Sequence, residues 1–323
     1  MNRLSRAVLS LFAAPRVNMR EDYAKVRRFQ RRLAAFPAPR YRYRETVSDA
    51  GDHQIPVRIF QPKEKRSDAV LLFFHGGGWV TGDIESYTPA CATMADLTGC
   101  VVAAVDYRLA PEDPFPAGLQ DCYHVTRQLL DHPQRAGIEK ASDIVLVGDS
   151  AGGNLAAAVS LMLHERGHRG ADRQILLYPV THWDHDPETS PFASVRHHGQ
   201  DYRLTNTEVQ DYMELYVPDP EQRRDRLVAP LMATDLADQP RTLVITAELD
   251  LLCDEGEAYG RALQEAGNDV QIHRVLRALH GFIVLPRFSR PLRDAYAVID
   301  TFLTDDPAVR ERPETDRHGE APT

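Results

Sequence analysis

The sequence predicts an α/β protein: a mainly parallel central sheet flanked by helices, with a helical cap. Three observations carry that expectation. Short aliphatic runs recur along the chain, helix-length segments separate them, and two stretches interrupt the alternation. The runs are "VRIF" (57–60), "AVLLFF" (69–74), "VVAAVDY" (101–107), "DIVLVGD" (143–149), "ILLYPV" (175–180), "TLVITAEL" (242–249) and "VQIHRVL" (270–276). Most are apolar throughout, as strands are when helices cover both faces of a parallel sheet. Between them lie helical segments at 117–131, 151–167 and 254–267; the last begins with acids and ends at a glycine, as helix ends prefer.

The two interruptions are residues 16–38, a charged amphipathic helix ahead of the first of these strands, and residues 181–228, too long for a normal connection. Both are read as parts of one cap over the carboxyl edge of the sheet, where open α/β folds place their sites. The expected division is an N-terminal cap part over 1–45, core over 46–180, cap insertion over 181–228, core over 229–305 and a disordered tail over 306–323. That tail, polar and with three prolines, shows no apolar period.

Composition narrows the function. The 323 residues suffice for one large core, and a net charge of −9 argues against nucleic acid, whose binding needs a clustered positive face. No stretch approaches the ~20 apolar residues of a membrane span. The apolar run near the N-terminus is short and meets Pro15, unlike an export signal. Cys91, Cys100, Cys122 and Cys253 form no CxxC pair, which suits free thiols in the cytoplasm. No H-E-x-x-H or comparable metal-ligand spacing appears, and no cofactor is expected.

The chemistry is concentrated in a few motifs. Gly148-Asp149-Ser150-Ala151-Gly152 fits G-x-S-x-G, with a strand before it and a helix of small residues after it. That context puts the serine on a sharp, strained strand-to-helix turn, its hydroxyl out of the sheet, while the flanking glycines let strand and helix pass closely. A nucleophilic serine needs a base, and in this architecture an acid and then a histidine follow it. Among the later histidines, His182, His185, His197 and His198 fall in the cap, His273 in a strand and His318 in the tail. His280 in "RALHGF" remains, in a loop beside Gly281. Asp250, directly at the end of "TLVITAEL", is the acid; Asp254 is read as the cap of the helix that follows.

"HGGGW" (75–79) then supplies backbone N–H donors for an oxyanion. Gly77, Gly78 and Ala151, the residue after the nucleophile, are the expected donors. A phosphate cradle is excluded, since no G-x-x-x-x-G-K-[ST] is present. His75 is read as an anchor of that loop and Trp79 as a wall of the substrate slot.

Together, "HGGGW", "DYRLAPEDPFPAG" (106–118), "GDSAGGN" (148–154), "DLLCDEGEAY" (250–259) and "LHGF" (279–282) resemble, in order, the signatures of the bacterial hormone-sensitive-lipase family of serine esterases, over roughly residues 16 to 305. The resemblance implies an α/β-hydrolase core with a helical cap, a Ser150–His280–Asp250 triad and an oxyanion hole at Gly77, Gly78 and Ala151. A charged, histidine-rich cap closing the slot, with Trp79 shortening it, points to small esters with short-to-medium acyl chains, hydrolysed without a cofactor by a monomer or homodimer. One departure stands out: the family commonly has Asp-Pro-Leu where this chain has Asp250-Leu251-Leu252. Tyr107, Arg108, Glu112 and Asp149 are read as structural. An amidase or a deacetylase of small acetylated molecules would use the same triad; a non-catalytic ligand receptor is disfavoured by the retained "LHGF".

Overall fold

The computed structural model describes residues 18–34, 41–136, 144–168, 170–200 and 202–305. The expected tail at 306–323 lies outside them, as do 1–17 and 35–40. Eight strands form one sheet in the order β1-β2-β4-β3-β5-β6-β7-β8. They are β1 (Tyr43–Asp49), β2 (Gln54–Phe60), β3 (Val70–Phe74), β4 (Val101–Val105), β5 (Ile144–Asp149), β6 (Arg173–Leu177), β7 (Arg241–Leu249) and β8 (Val270–Leu279). Strands β3 to β8 pair parallel with one another, while β1–β2 and β2–β4 pair antiparallel.

The apolar runs read as strands because helices cover both faces. In β3, Leu72 and Phe74 join one core with α3 (Ala117–Asp131), α4 (Ala151–Glu165) and α7 (Cys253–Glu265). Leu71 and Phe73 join the opposite core with α2 (Thr88–Thr98) and α8 (Arg290–Thr304). The period of two thus sends successive apolar residues into separate cores.

Strand β1 escapes the sequence pattern because it is an edge strand with six of its seven residues exposed, so it carries no apolar run. Strand β8 continues past residue 276 to Leu279, so His280 follows it directly. Helices α2 and α8 likewise add to the segments read from sequence.

The remaining elements lie at the carboxyl ends of the parallel strands. Helix α1 (Met19–Ala34) packs on α6 (Asn206–Tyr216), and Arg20 pairs with Asp211 and Glu214, each at 2.7 Å. Short helix α5 (Ala193–His198) precedes α6. Glu255 roots the 181–228 segment on the core: its carboxylate accepts the amides of Thr181 (2.8 Å) and His182 (3.2 Å). Asn154 of "GDSAGGN" donates to the carbonyls of Val180 and Val228, at both ends of that segment. Among the described residues no helix is long and apolar enough to cross a membrane.

Candidate active site

Parallel pairing delivers four strand ends to one edge. There β3 runs into the triglycine loop, β5 into Ser150, β7 into Asp250 and β8 into His280. Ser150 adopts φ 55°, ψ −119°, a backbone region L-residues rarely occupy. The glycines explain how the turn closes. A Cβ at Gly148 would sit 2.0 Å from the carbonyl oxygen of Gly152, and one at Gly152 equally close to that of Phe74. Only Gly fits either position.

The three residues chosen from sequence come together. His280 Nε2 lies 2.9 Å from Ser150 Oγ, and His280 Nδ1 lies 2.6 Å from Asp250 Oδ2. The Tyr178 ring packs edge-on against the imidazole at 4.9 Å, fixing its plane. Asp250 is buried, and its other oxygen accepts the Leu252 amide at 3.1 Å. Leu251 and Leu252 are fully buried, so packing holds the acid's loop where the family commonly has a proline.

Asp254 departs from its expected role. Leu252, not Asp254, is the N-cap of α7, and no side chain caps that helix. Asp254 lies in the first turn and accepts the Ser194 amide of α5 at 2.8 Å, tying the 181–228 segment to the core. An acid at a helix start does not by itself distinguish a cap from a tether to a neighbouring segment.

The triglycine loop is built around positive φ. Gly77 (φ +116°) accepts the Val80 and Thr81 amides, and a Cβ there would meet the Thr81 carbonyl oxygen at 2.1 Å. A Cβ at Gly78 (φ +61°) would meet the Tyr212 ring of α6 at 2.3 Å. Among the described residues no acceptor takes the amides of Gly77, Gly78 or Ala151, so all three are free to donate.

Buried groups hold this loop. Asp149 Oδ1 accepts the Gly76 amide at 2.7 Å, and its Oδ2 accepts the hydroxyls of Tyr87 (3.1 Å) and Tyr178 (3.3 Å). Burial pushes the Asp149 carboxyl up to about 6, against the pull of the Gly76 hydrogen bond. His75 is buried, stacks on Tyr107 at 4.3 Å and has its basicity lowered by burial; Tyr107 donates to the His75 carbonyl. Arg108 pairs with Asp121 at 2.7 Å and Glu112 with Arg27 at 3.0 Å.

A cleft of about 170 Å³ opens over Ser150. Gly77, Gly78, Trp79 and His280 line it, as do residues that sequence reasoning did not select. Gln30 comes from α1, Arg203 from the loop before α6, and Glu208 and Tyr212 from α6 itself. Trp79 is nearly buried, stacked face to face on Tyr216 at 4.4 Å, so it is a wall braced from behind. Burial raises the Tyr212 hydroxyl to about 12, keeping it neutral.

A single sheet of this order, with a strained serine after its fifth strand, defines an α/β hydrolase. Comparison with known proteins agrees. The family described as alpha/beta hydrolase fold matches residues 71–284, and the chain belongs to it. The chain is 34% identical over 240 residues to an arylesterase of Saccharolobus solfataricus, covering 74% of this chain and 76% of that protein. It is 33% identical over 235 residues to an ethyl acetate hydrolase of Pseudomonas putida, covering 72% of each. Among solved structures, a hyperthermophilic esterase from the archaeon Pyrobaculum calidifontis superimposes with a TM-score of 0.82 at 30% identity. That match covers 94% of this chain and 97% of that one.

Proposed function

We propose that the protein is a carboxylic ester hydrolase that works through Ser150, His280 and Asp250. The carrying observation is the relay of two hydrogen bonds, Ser150 Oγ to His280 Nε2 (2.9 Å) and His280 Nδ1 to Asp250 Oδ2 (2.6 Å). His280 Nε2 accepts the serine proton as Oγ attacks the ester carbonyl carbon. Asp250 fixes the tautomer and stabilises the imidazolium. The carbonyl π electrons move onto oxygen, where the Gly77, Gly78 and Ala151 amides meet the charge. The intermediate collapses, the ester C–O bond breaks, and the alcohol leaves with the proton from His280. Water, activated by the same imidazole, then cleaves the acyl-serine and releases the acid.

The small cleft and its polar rim favour soluble esters with short-to-medium acyl chains over emulsified lipid. Gln30 and Tyr212 in the cleft wall support reading α1 and the 181–228 segment as a cap. Four buried cysteines without disulfides fit a cytoplasmic protein, and burial raises each thiol so that it stays protonated.

A fluorophosphonate probe tests the assignment. It should label Ser150 in the wild-type protein, with loss of 4-nitrophenyl acetate hydrolysis in step with labelling, and leave Ser150→Ala unlabelled. Labelling of another serine alongside loss of activity would overturn the assignment.

A further inference from the structure

Arg203 is a cation in a cleft whose acids are already occupied. Glu208 Oε2 accepts both the amide and the hydroxyl of Thr205 at 2.9 Å in a capping box. Asp149, at the floor, is hydrogen-bonded to Gly76, Tyr87 and Tyr178. Arg203 is different. Among the described residues its single hydrogen bond is a long one, Nη1 to the Gly281 carbonyl at 3.4 Å, and no carboxylate lies within ion-pair reach. A guanidinium carries five N–H donors; Arg203 is exposed at the rim of the cleft, so most of its donors have no partner among the described residues.

Its position along the reaction axis is also defined. Gly281 follows His280, and a Cβ there would meet Arg203 Cζ at 3.4 Å, so the guanidinium lies against that backbone. His280 Nε2 returns the proton to the departing alcohol. The neighbourhood of residues 280–281 therefore borders the alcohol half of an ester, and the triglycine loop borders its carbonyl oxygen.

We infer that Arg203 is a specificity-determining residue that selects esters whose alcohol portion carries a carboxylate. This rests on the ester-hydrolase reading above. The planar fork of Arg matches a carboxylate bidentately, and the contact is charge-assisted. The net charge of −9 would by itself disfavour an anionic substrate, so a preference for one has to come from a local cation.

The test compares 3-acetoxypropanoate with its neutral near-isostere 3-acetoxypropanamide by acetate release. For the wild type, kcat/KM should favour the carboxylate by roughly three- to tenfold, the range of a partly exposed charge-assisted contact. Arg203→Gln should bring the ratio to one or below, and Arg203→Lys should restore part of it. Raising salt should shrink the wild-type ratio, as screening requires. Equal wild-type rates, or a ratio unchanged in Arg203→Gln, would overturn the inference. An Arg203-dependent preference confined to a hemisuccinate ester, whose carboxylate is on the acyl half, would overturn the assignment to the alcohol side. 4-Nitrophenyl acetate separates the two readings: without its turnover the ester-hydrolase reading fails, and with it only the role of Arg203 is at stake.

Discussion

The carboxylate of Asp149 accepts the amide of Gly76 at 2.7 Å, so the residue before Ser150, the proposed nucleophile, holds the loop that carries the proposed oxyanion donors. Two turns from different strands, β3 and β5, are thereby locked in one geometry. Preorganised donors stabilise developing charge only if they need not move to meet it. Asp149 is a positioning residue in that sense.

Substitution at Asp149 should divide according to what the new side chain can accept. Asp149→Ala leaves the Gly76 amide and two tyrosine hydroxyls without their shared partner, at about 1–3 kcal/mol per buried group. Asp149→Asn keeps an acceptor for Gly76. The folded-state pKa, about 6 against an ordinary 3.8, means the folded protein holds this proton where the unfolded chain releases it. The associated stability is present at low pH and is lost as pH rises through that interval, by about 3 kcal/mol. Relative to wild type, Asp149→Asn should therefore gain stability between about pH 4 and pH 8, measured by urea unfolding at both. Parallel pH responses of the two proteins would contradict this.

Ser150 combines chemical need with backbone cost. Its φ of 55° and ψ of −119° cost an L-residue on the order of 1–3 kcal/mol, which glycine avoids. Both Ser150→Ala and Ser150→Gly should lose at least about 10⁴-fold in kcat, in line with removal of a triad nucleophile. Their melting temperatures should differ, with Ser150→Gly at or above Ser150→Ala despite glycine's greater unfolded-state entropy. A glycine variant melting well below the alanine variant would mean that the elbow stores no strain.

Gly78 and Tyr212 form a contact that a pair of substitutions can probe. An alanine Cβ at Gly78 would be placed 2.3 Å from the Tyr212 ring, and the backbone there is left-handed. Gly78→Ala should displace the loop and cost on the order of 3 kcal/mol in transition-state stabilisation, about a hundredfold in kcat. Tyr212→Ala removes the ring, and the double variant should recover part of that loss in a double-mutant cycle. Strict additivity would mean that α6 does not press on the loop.

The residues nearest the chemistry were legible because the fold constrains them through chain order. A strand, a serine between glycines, a later strand ending in an acid and a last strand ending beside a histidine can be arranged around one edge in few ways. The strand end pointed to Asp250, which the structure places beside His280, whereas Asp254's partner, the Ser194 amide, was not legible. Arg203, Glu208 and Tyr212 carry no such constraint. They reach the cleft because α6 packs across the sheet edge, and a helix reveals its buried face in sequence but not what that face lies over. Strand β1 was missed for the opposite reason: its pairing is real, but its side chains are mostly in water.

Arg27 joins α1 to the loop region through three partners. Its guanidinium donates to the carbonyls of Val80 (2.6 Å) and Ala110 (2.7 Å) and pairs with Glu112 at 3.0 Å. Val80 follows Trp79 in the cleft wall, and Gln30, one turn along α1, lines the cleft while accepting the Gly82 amide at 3.2 Å. Arg27→Ala leaves two carbonyls of buried residues without this donor, worth about 1–3 kcal/mol of stability. The proposed triad residues directly follow core strands β5, β7 and β8, away from α1, so the chemical step should be little affected. The wall itself should loosen. For 4-nitrophenyl esters from acetate to dodecanoate, KM for acetate should rise more than kcat falls, and the acyl preference should move toward longer chains. Unchanged melting temperature together with an unchanged acyl profile would show that α1 is not part of the wall that limits substrate length.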